Sequence, residues 1–434
     1  MQSCLLALSL VLIGGAAIAQ KKPLHLASAR SGRDTLTLDG GAWRGALDGN
    51  DTGEKMAWQK VPPSEARTLA VPETLTALPR GSVWRWREFT VPARWKGQTV
   101  RLQFGAVSEI SDVWLNGETV GVHSGGVLPF EFNVTKFLRL DGKNLLALRL
   151  RSDVNQPVGI GQSVVLAAQD EAYLQDAFPQ AGRAGNISVP ATLFNSSDKS
   201  GDSELDADIF DPVTPRKFVL QSKQNLRVSP GRNLTILTLN ARKKTFLLWT
   251  PQKPQLYVLA FNFHQDADSL DTLQVRFGFR EWGYKDGAIT LNGAALALKS
   301  APYSAQSLAP LTNTDAQSKL RAAFAAFRNS GVNLLYTEAD DPILLQIADE
   351  TGMLIIEGSR PNLPPAVAFE ELRGLIVRDR AHPCILGWNV AERDRPGILL
   401  CRALDPTRFL LMGAGASGRI IPPNQDAPLS ANFP

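Results

Sequence analysis

Between residues 84 and 150, large apolar side chains alternate with polar ones. Trp84-Arg85-Trp86-Arg87-Glu88-Phe89-Thr90-Val91, Val100-Arg101-Leu102-Gln103-Phe104 and Ser111-Asp112-Val113-Trp114-Leu115 all repeat with a period of two. That period predicts half-buried strands. Asn116-Gly117 follows directly, then Glu118-Thr119-Val120-Gly121-Val122, which is a strong hairpin signal. Phe130-Glu131-Phe132-Asn133-Val134 and Leu145-Leu146-Ala147-Leu148-Arg149-Leu150 add two more strands. Many short strands at this spacing predict a β-sandwich of jelly-roll type. Trp84, Trp86 and Trp114 sit in alternating strands and are assigned to the sandwich core.

A second set of alternating runs, Leu205 to Phe210 and Leu234 to Leu239, follows the polar stretch Asn195 to Asp202. That stretch reads as a hairpin or long turn, and about 110 residues suit one further sandwich. Beyond residue 281 the period changes. Strands are predicted at 295–299, 332–336, 353–357 and 385–388, with 409–412 as a fifth. Helices are predicted at 315–330, 342–350, 369–380 and 399–404. Alternating strands and helices describe a parallel β/α unit.

Composition narrows the class. Hydrophobic residues make up 44% and charged residues 20% of 434 positions, as in ordinary globular proteins. The net charge of +4 is too small, and too scattered, for a nucleic-acid footprint. MQSCLLALSLVLIGGAAIA, residues 1–19, reads as a secretory signal peptide ending in Ala17-Ile18-Ala19. The expected product is secreted or periplasmic, with no stable membrane anchor after cleavage. Cys4 leaves with the signal, so Cys384 and Cys401 remain, as buried thiols or as one disulfide. The four histidines, at 25, 123, 264 and 382, lie far apart. Neither metal-ligand spacing nor a cofactor motif is seen, and the expectation is no metal and no cofactor.

One resemblance adds to this reading. The run FTVPARWKGQTVRLQFGAVSEISDVWLNGETVGVHSGGVLPFEFNVTKFL, closed by NLLALRLRS, resembles the sugar-binding domain of glycoside hydrolase family 2. That family includes the β-galactosidases, β-glucuronidases and β-mannosidases. Trp249-Thr250-Pro251 and Pro254-Gln255-Leu256-Tyr257-Val258-Leu259 resemble the segment closing the family's immunoglobulin-like domain. Phe277-Gly278-Phe279-Arg280-Glu281 resembles the lead-in to its catalytic TIM barrel. The implied architecture is a multidomain β plus α/β chain. Its parts are a signal peptide (1–19), a sugar-binding-like jelly-roll domain (20–167), an immunoglobulin-like β-sandwich (168–280) and a partial TIM (β/α) barrel (281–434). A whole barrel needs about 250 residues. Three readings stay open: a reduced barrel capped by its own tail, a barrel completed by another chain, or a truncated gene product. An open parallel edge would favour a homo-oligomer.

The resemblance also implies chemistry. A retaining glycosidase needs two carboxyl groups about 5 Å apart, and carboxylates at strand tips are where barrel enzymes hold them. The family's proton donor is the Glu of W-x-x-x-N-E. Counted from Trp388 that position is Arg393, with Glu392 in the Asn position; a one-residue deletion would restore Glu392 as donor. Tyr336-Thr337-Glu338-Ala339 stands where the family carries R-x-x-H. Lys299-Ser300-Ala301-Pro302 replaces R-G-x-x-x-H, and Gly159-Ile160-Gly161-Gln162 replaces G-I-W-R. The candidate catalytic residues are Glu392, Glu357 and Glu338; the candidate substrate-binding residues are Trp388, Asn389 and Tyr336. The expected function is a glycosidase-like protein of carbohydrate metabolism with impaired catalysis, binding a glycan or acting as a scaffold. The alternative is an active β-glycosidase with Glu392 as acid/base.

Overall fold

The computed structural model describes residues 28–432 except 30–32, 74–75, 78–80, 109, 125–127, 152–156, 215–217, 243–244, 266–267, 304–313, 339–341, 361–362, 392–393, 414–418 and 424–428. The predicted signal at 1–19 lies outside these. Among the described residues, no helix is long and apolar enough to cross a membrane.

The first alternating runs form two antiparallel sheets. In the six-stranded sheet, Ser82–Phe89 lies between Gly40–Asp48 and Asn144–Arg151, and Ile110–Leu115 continues outward to Glu118–Ser124. Asn116 and Gly117 both take positive φ, 56° and 83°, as a two-residue hairpin matched to strand twist requires. Phe130–Asn133, Thr99–Phe104, Val164–Gln169 and Asp34–Thr37 make the facing sheet. Val83, Val113, Leu148, Leu102 and Leu166 fill the space between the sheets.

The tryptophans depart from expectation. Trp84, Trp86 and Trp114 are buried, but in a separate cluster on the outside of the six-stranded sheet. Val83 points into the core, so alternation sends Trp84 and Trp86 the other way. Trp58 packs over them, its ring 6.0 Å from Trp84. Their indoles find acceptors in Asp48 Oδ2 (3.1 Å) and Trp58 O (2.8 Å).

The second set of strands makes two further antiparallel sheets around one core. Asn195 to Asp202 is not a hairpin: Asn186–Asn195 and Gly201–Phe210 belong to different sheets, and the stretch crosses between them.

The third region is a seven-stranded sheet in sequence order. Its elements are β1 (Ser300–Pro302), α1 (Thr314–Asn329), β2 (Leu334–Glu338), α2 (Pro342–Thr351), β3 (Leu354–Gly358), α3 (Pro365–Asp379), β4 (Ile385–Val390), α4 (Arg395–Leu404), β5 (Phe409–Met412), β6 (Arg419–Ile421) and β7 (Leu429–Asn432). β1 to β5 run parallel. Runs such as Leu354-Ile355-Ile356 are apolar throughout because parallel strands are buried on both faces.

Several boundaries differ from the sequence reading; α3, for one, starts at Pro365, four residues before Phe369. The first parallel strand begins at Ser300, not at Ala295. Asn292 and Gly293 both take positive φ, and their turn folds Ala294–Ala295 back onto Thr290 and Leu291 as a hairpin. Helix α4 starts at Arg395, four residues earlier than expected, because Asp394 caps it by accepting from Gly397 N at 3.0 Å. The tail adds two antiparallel strands, β6 pairing β5 and β7 pairing β6. The edge of β5 is thereby covered within the chain.

Trp249, from the turn closing the second sandwich, is fully buried in the core of the parallel sheet. Its indole donates to Asp349 O on α2 at 3.0 Å. Gly352 ends α2 with φ +75°, and a Cβ there would run into Pro251 O of the same turn. A side chain at this left-handed position is strained, and here it also collides with backbone. Gly352→Ala is therefore expected to destabilise the protein by about 2 kcal/mol or more. Urea unfolding followed by tryptophan fluorescence measures this, and an unchanged midpoint would contradict the tight packing of α2 on the Trp249 turn.

Candidate functional site

The carboxyl ends of β2, β3 and β4 carry the predicted site residues, and strand register sorts them onto two faces. Glu338, Gly358, Asn389 and Leu411 are register partners across β2 to β5. Register neighbours share a face, and residues two apart share it too, so Tyr336 joins them. Thr337, Glu357, Trp388 and Leu410 are likewise partners and point the opposite way.

The second face is the one covered by helices. Glu357 is fully buried, 3.6 Å from the Arg378 guanidinium of α3. Arg378 also holds Asp379 at 2.7 Å. Trp388 is fully buried, and its indole donates to Asp405 Oδ2 at 3.2 Å, just beyond α4. Asp405 also accepts from Thr407 and faces Arg408 at 3.5 Å. Glu357 and Trp388 therefore stand in the packing between sheet and helices.

The first face is where the remaining candidates converge. Glu338 is exposed, and Tyr336 and Asn389 are half-buried. Burial raises the Tyr336 phenol above its usual pKa, with the nearby Ser300 side chain opposing the shift. Asn389 Oδ1 is buried and has no hydrogen-bond partner among the described residues. Gly358, lacking a side chain, separates Glu338 from Asn389 by two strand spacings, about 10 Å. Among the described residues of β2 to β5, Glu338 is the one carboxylate on this face. Glu392 lies outside the described residues. An exposed carboxylate, a phenol and an amide can hydrogen-bond a polyol; by themselves they do not make a donor and nucleophile pair.

The sequence reading missed a cluster at the opposite end of the sheet. Asp349, His382 and Cys384 bring their ligand-type atoms within 4.8 Å of one another, all buried. His382 Nδ1 lies 2.6 Å from Asp349 Oδ2, and Cys384 N donates to Asp349 Oδ1 at 3.0 Å. A carboxylate only accepts, which places the proton on Nδ1. Two ligands about 2.1 Å from one tetrahedral ion would stand ~3.4 Å apart, so this pair is at hydrogen-bond distance, not ligand distance. Burial, reinforced by the Asp349 charge, pushes the Cys384 thiol well above its usual pKa. The cluster is a structural brace. The one visible signal was His382-x-Cys384, since two residues that far apart entering a strand share a side.

The arrangement of these parts defines a class: two antiparallel sandwiches leading into a parallel β/α sheet whose strand tips carry polar side chains. Residues 76–182 match the model of the glycosyl hydrolases family 2 sugar-binding domain, and residues 172–280 match the glycosyl hydrolases family 2 model that follows it. The β-galactosidase of Priestia megaterium is 23% identical over 72% of this chain and 34% of its own length. The β-glucuronidase of Paenibacillus borealis is 24% identical over 83% of this chain and 68% of its own. The crystal structure of a Bacteroides uniformis β-glucuronidase superposes with a TM-score of 0.74 at 22% identity, covering 88% of this chain and 52% of that one. The chain thus spans 34 to 68% of the length of these relatives. The two family models, adjoining over residues 76–280, and these relatives support a member of glycoside hydrolase family 2.

Two outcomes follow from the site geometry. Trp388→Phe is expected to cost about 1–3 kcal/mol, by leaving a buried Asp405 oxygen without its indole donor. Urea unfolding gives that figure, and calorimetry on any glycan that binds should find the affinity unchanged. Weakened binding without lost stability would place Trp388 on the ligand side. Cys384 and Cys401 are both free and buried, and burial raises both thiols. Because the thiolate is the reactive form, iodoacetamide labelling read by peptide mass spectrometry should modify neither in the native protein and both in urea.

Proposed function

We propose that the protein is an exported family 2 glycosidase-like protein in which the family's acid/base chemistry is impaired and carbohydrate binding or a scaffold role remains. The parallel β1 to β5 are read as the opening strands of the family's (β/α)₈ barrel. The carrying observation is the division of the strand tips into two faces. Glu357 is committed to Arg378 on the helix side, and Glu338 stands on the other face without a second described carboxylate. The sequence after Trp388 supports the same reading, since Arg393 occupies the position of the family's donor. The named relatives are β-galactosidases and β-glucuronidases, which makes β-linked hexosides and hexuronides the ligands to try first. Tyr336, Glu338 and Asn389 are the residues assigned to such a ligand. Asn389, with a buried carbonyl oxygen lacking a donor among the described residues, is suited to accept from a sugar hydroxyl.

Incubation with aryl β-galactosides, β-glucuronides and β-mannosides is expected to release no aryl alcohol above background. Turnover that disappears in Glu392→Gln would overturn impairment and favour the alternative of an active β-glycosidase. Calorimetry on a glycan panel separates the remaining roles. A binding protein gives a saturable signal weakened by Asn389→Ala, whereas a scaffold gives none and assembles on size-exclusion chromatography.

A further inference from the structure

The second sandwich and the base of the parallel sheet enclose a cavity of about 310 Å³. Its walls come from Gln180 and Ser188 of the sandwich, the Gly278 to Trp282 lead-in, and the loops preceding β4 and β5. It lies at the end of the sheet opposite Glu338 and Asn389. Three arginines line it: Arg280, Arg380 and Arg408.

Two of these have local compensation. Arg380 pairs with Asp176, donates to Leu404 O, and stacks on Phe178. Arg408 is 1% exposed, donates to Arg380 O and His382 O, and faces Asp405 at 3.5 Å. Arg280 is different. It is 9% exposed, and its Nε donates to Pro383 O at 3.0 Å while its guanidinium lies 5.6 Å from the Trp282 ring centre. Among the described residues it makes no ion pair, and its two terminal amino groups make no hydrogen bond.

The nearest carboxylates are already engaged. Glu281, on the cavity wall, is half exposed and pairs with Arg183 at 3.3 Å. Asp405 is held by Arg408, Thr407 and Trp388, and Asp349 by His382 and the Cys384 amide. Burial and the facing Arg408 lower the Arg280 pKa well below its usual value, yet a guanidinium stays charged at neutral pH. Donors are in surplus as well, because Arg380 Nε and Arg408 Nε are buried without acceptors. A buried cation needs a counter-charge, and here the fold supplies space in place of one.

We propose that this cavity binds a small oxyanion of the phosphate or sulfate class, with Arg280 as its principal ligand. A planar guanidinium fork matches two oxygens of such an anion. The bound anion ties the lead-in from the second sandwich to the loops below β4 and β5. It acts on stability, away from the glycan face.

The test is thermal unfolding of the full chain in sodium phosphate, sulfate, acetate and chloride at matched ionic strength. Phosphate and sulfate are expected to raise Tm saturably, and chloride is not. Arg280→Gln should weaken the phosphate effect about tenfold or more, the loss of charge-assisted hydrogen bonds, whereas Arg183→Gln should leave it in place. Equal shifts in phosphate and chloride, a response to acetate alone, or a phosphate effect untouched by Arg280→Gln would each overturn the site. If Arg280→Gln does not fold, Arg280→Lys replaces it, since it keeps the charge and loses the fork. Unaltered phosphate affinity in that variant would likewise overturn the site.

Discussion

The position of the parallel sheet on the second sandwich depends on one buried carboxylate, Asp349. Its backbone oxygen accepts from Trp249 of the sandwich, and its side chain accepts from His382 Nδ1 and Cys384 N. The end of α2, the loop before β4 and the closing turn of the sandwich therefore meet at one residue. Burying a carboxylate is tolerable only when its oxygens are satisfied, and two donors from the same loop satisfy them. The neighbouring bonds Arg280 Nε to Pro383 O and Trp282 Nε1 to Ile385 O reach that loop from the lead-in. β4 is thus anchored at its base before it enters the sheet, and the phase of its side chains is set there.

Much of this architecture is legible in the amino-acid order because it rests on periods. The alternation around Trp84, Trp114 and Leu146 gives strands, Asn116-Gly117 gives a hairpin, and the apolar run at 353–356 gives a strand buried on both faces. Errors arise where a local feature overrides the period. Ala295 to Lys299 is apolar enough for a strand, yet the Asn292-Gly293 turn draws its first residue into a hairpin. Asp394-Arg395-Pro396 is a helix start by capping chemistry, but its charge reads as part of a polar cluster. The strands from Arg419 on are short and carry little pattern; pairing of β6 with β5, and of β7 with β6, makes them.

The candidate site is legible only in part. That Glu338, Glu357 and Trp388 reach the same end of the sheet follows from all three closing parallel strands. Which face each occupies does not follow from strand-end position. It follows from the register between strands, and a one-residue shift exchanges the faces. The partners that reveal the answer, Arg378 for Glu357 and Asp405 for Trp388, come from helices and loops far along the chain. The same distance hid the Asp349, His382 and Cys384 cluster.

The phase of β4 bears directly on how the sequence after Trp388 can be used. Trp388 is fixed by Asp405, and Val390 O accepts from Gly413 N at 3.1 Å. At the other end, Asp394 is fixed as the cap of α4, and its backbone N donates to Ala391 O at 3.0 Å. The described chain is thus fixed at Val390 and Ala391 on one side and at Asp394 on the other. Sliding the strand by one residue to move Glu392 into the donor position would carry Trp388 out of the helix layer and bring Asn389 in. That exchange would leave Gly387 where an indole now has its partner, draw the Asn389 amide into the helix layer and turn a large ring onto the opposite face. The phase of β4 therefore stays as Asp405, Gly413 and the Asp394 cap fix it.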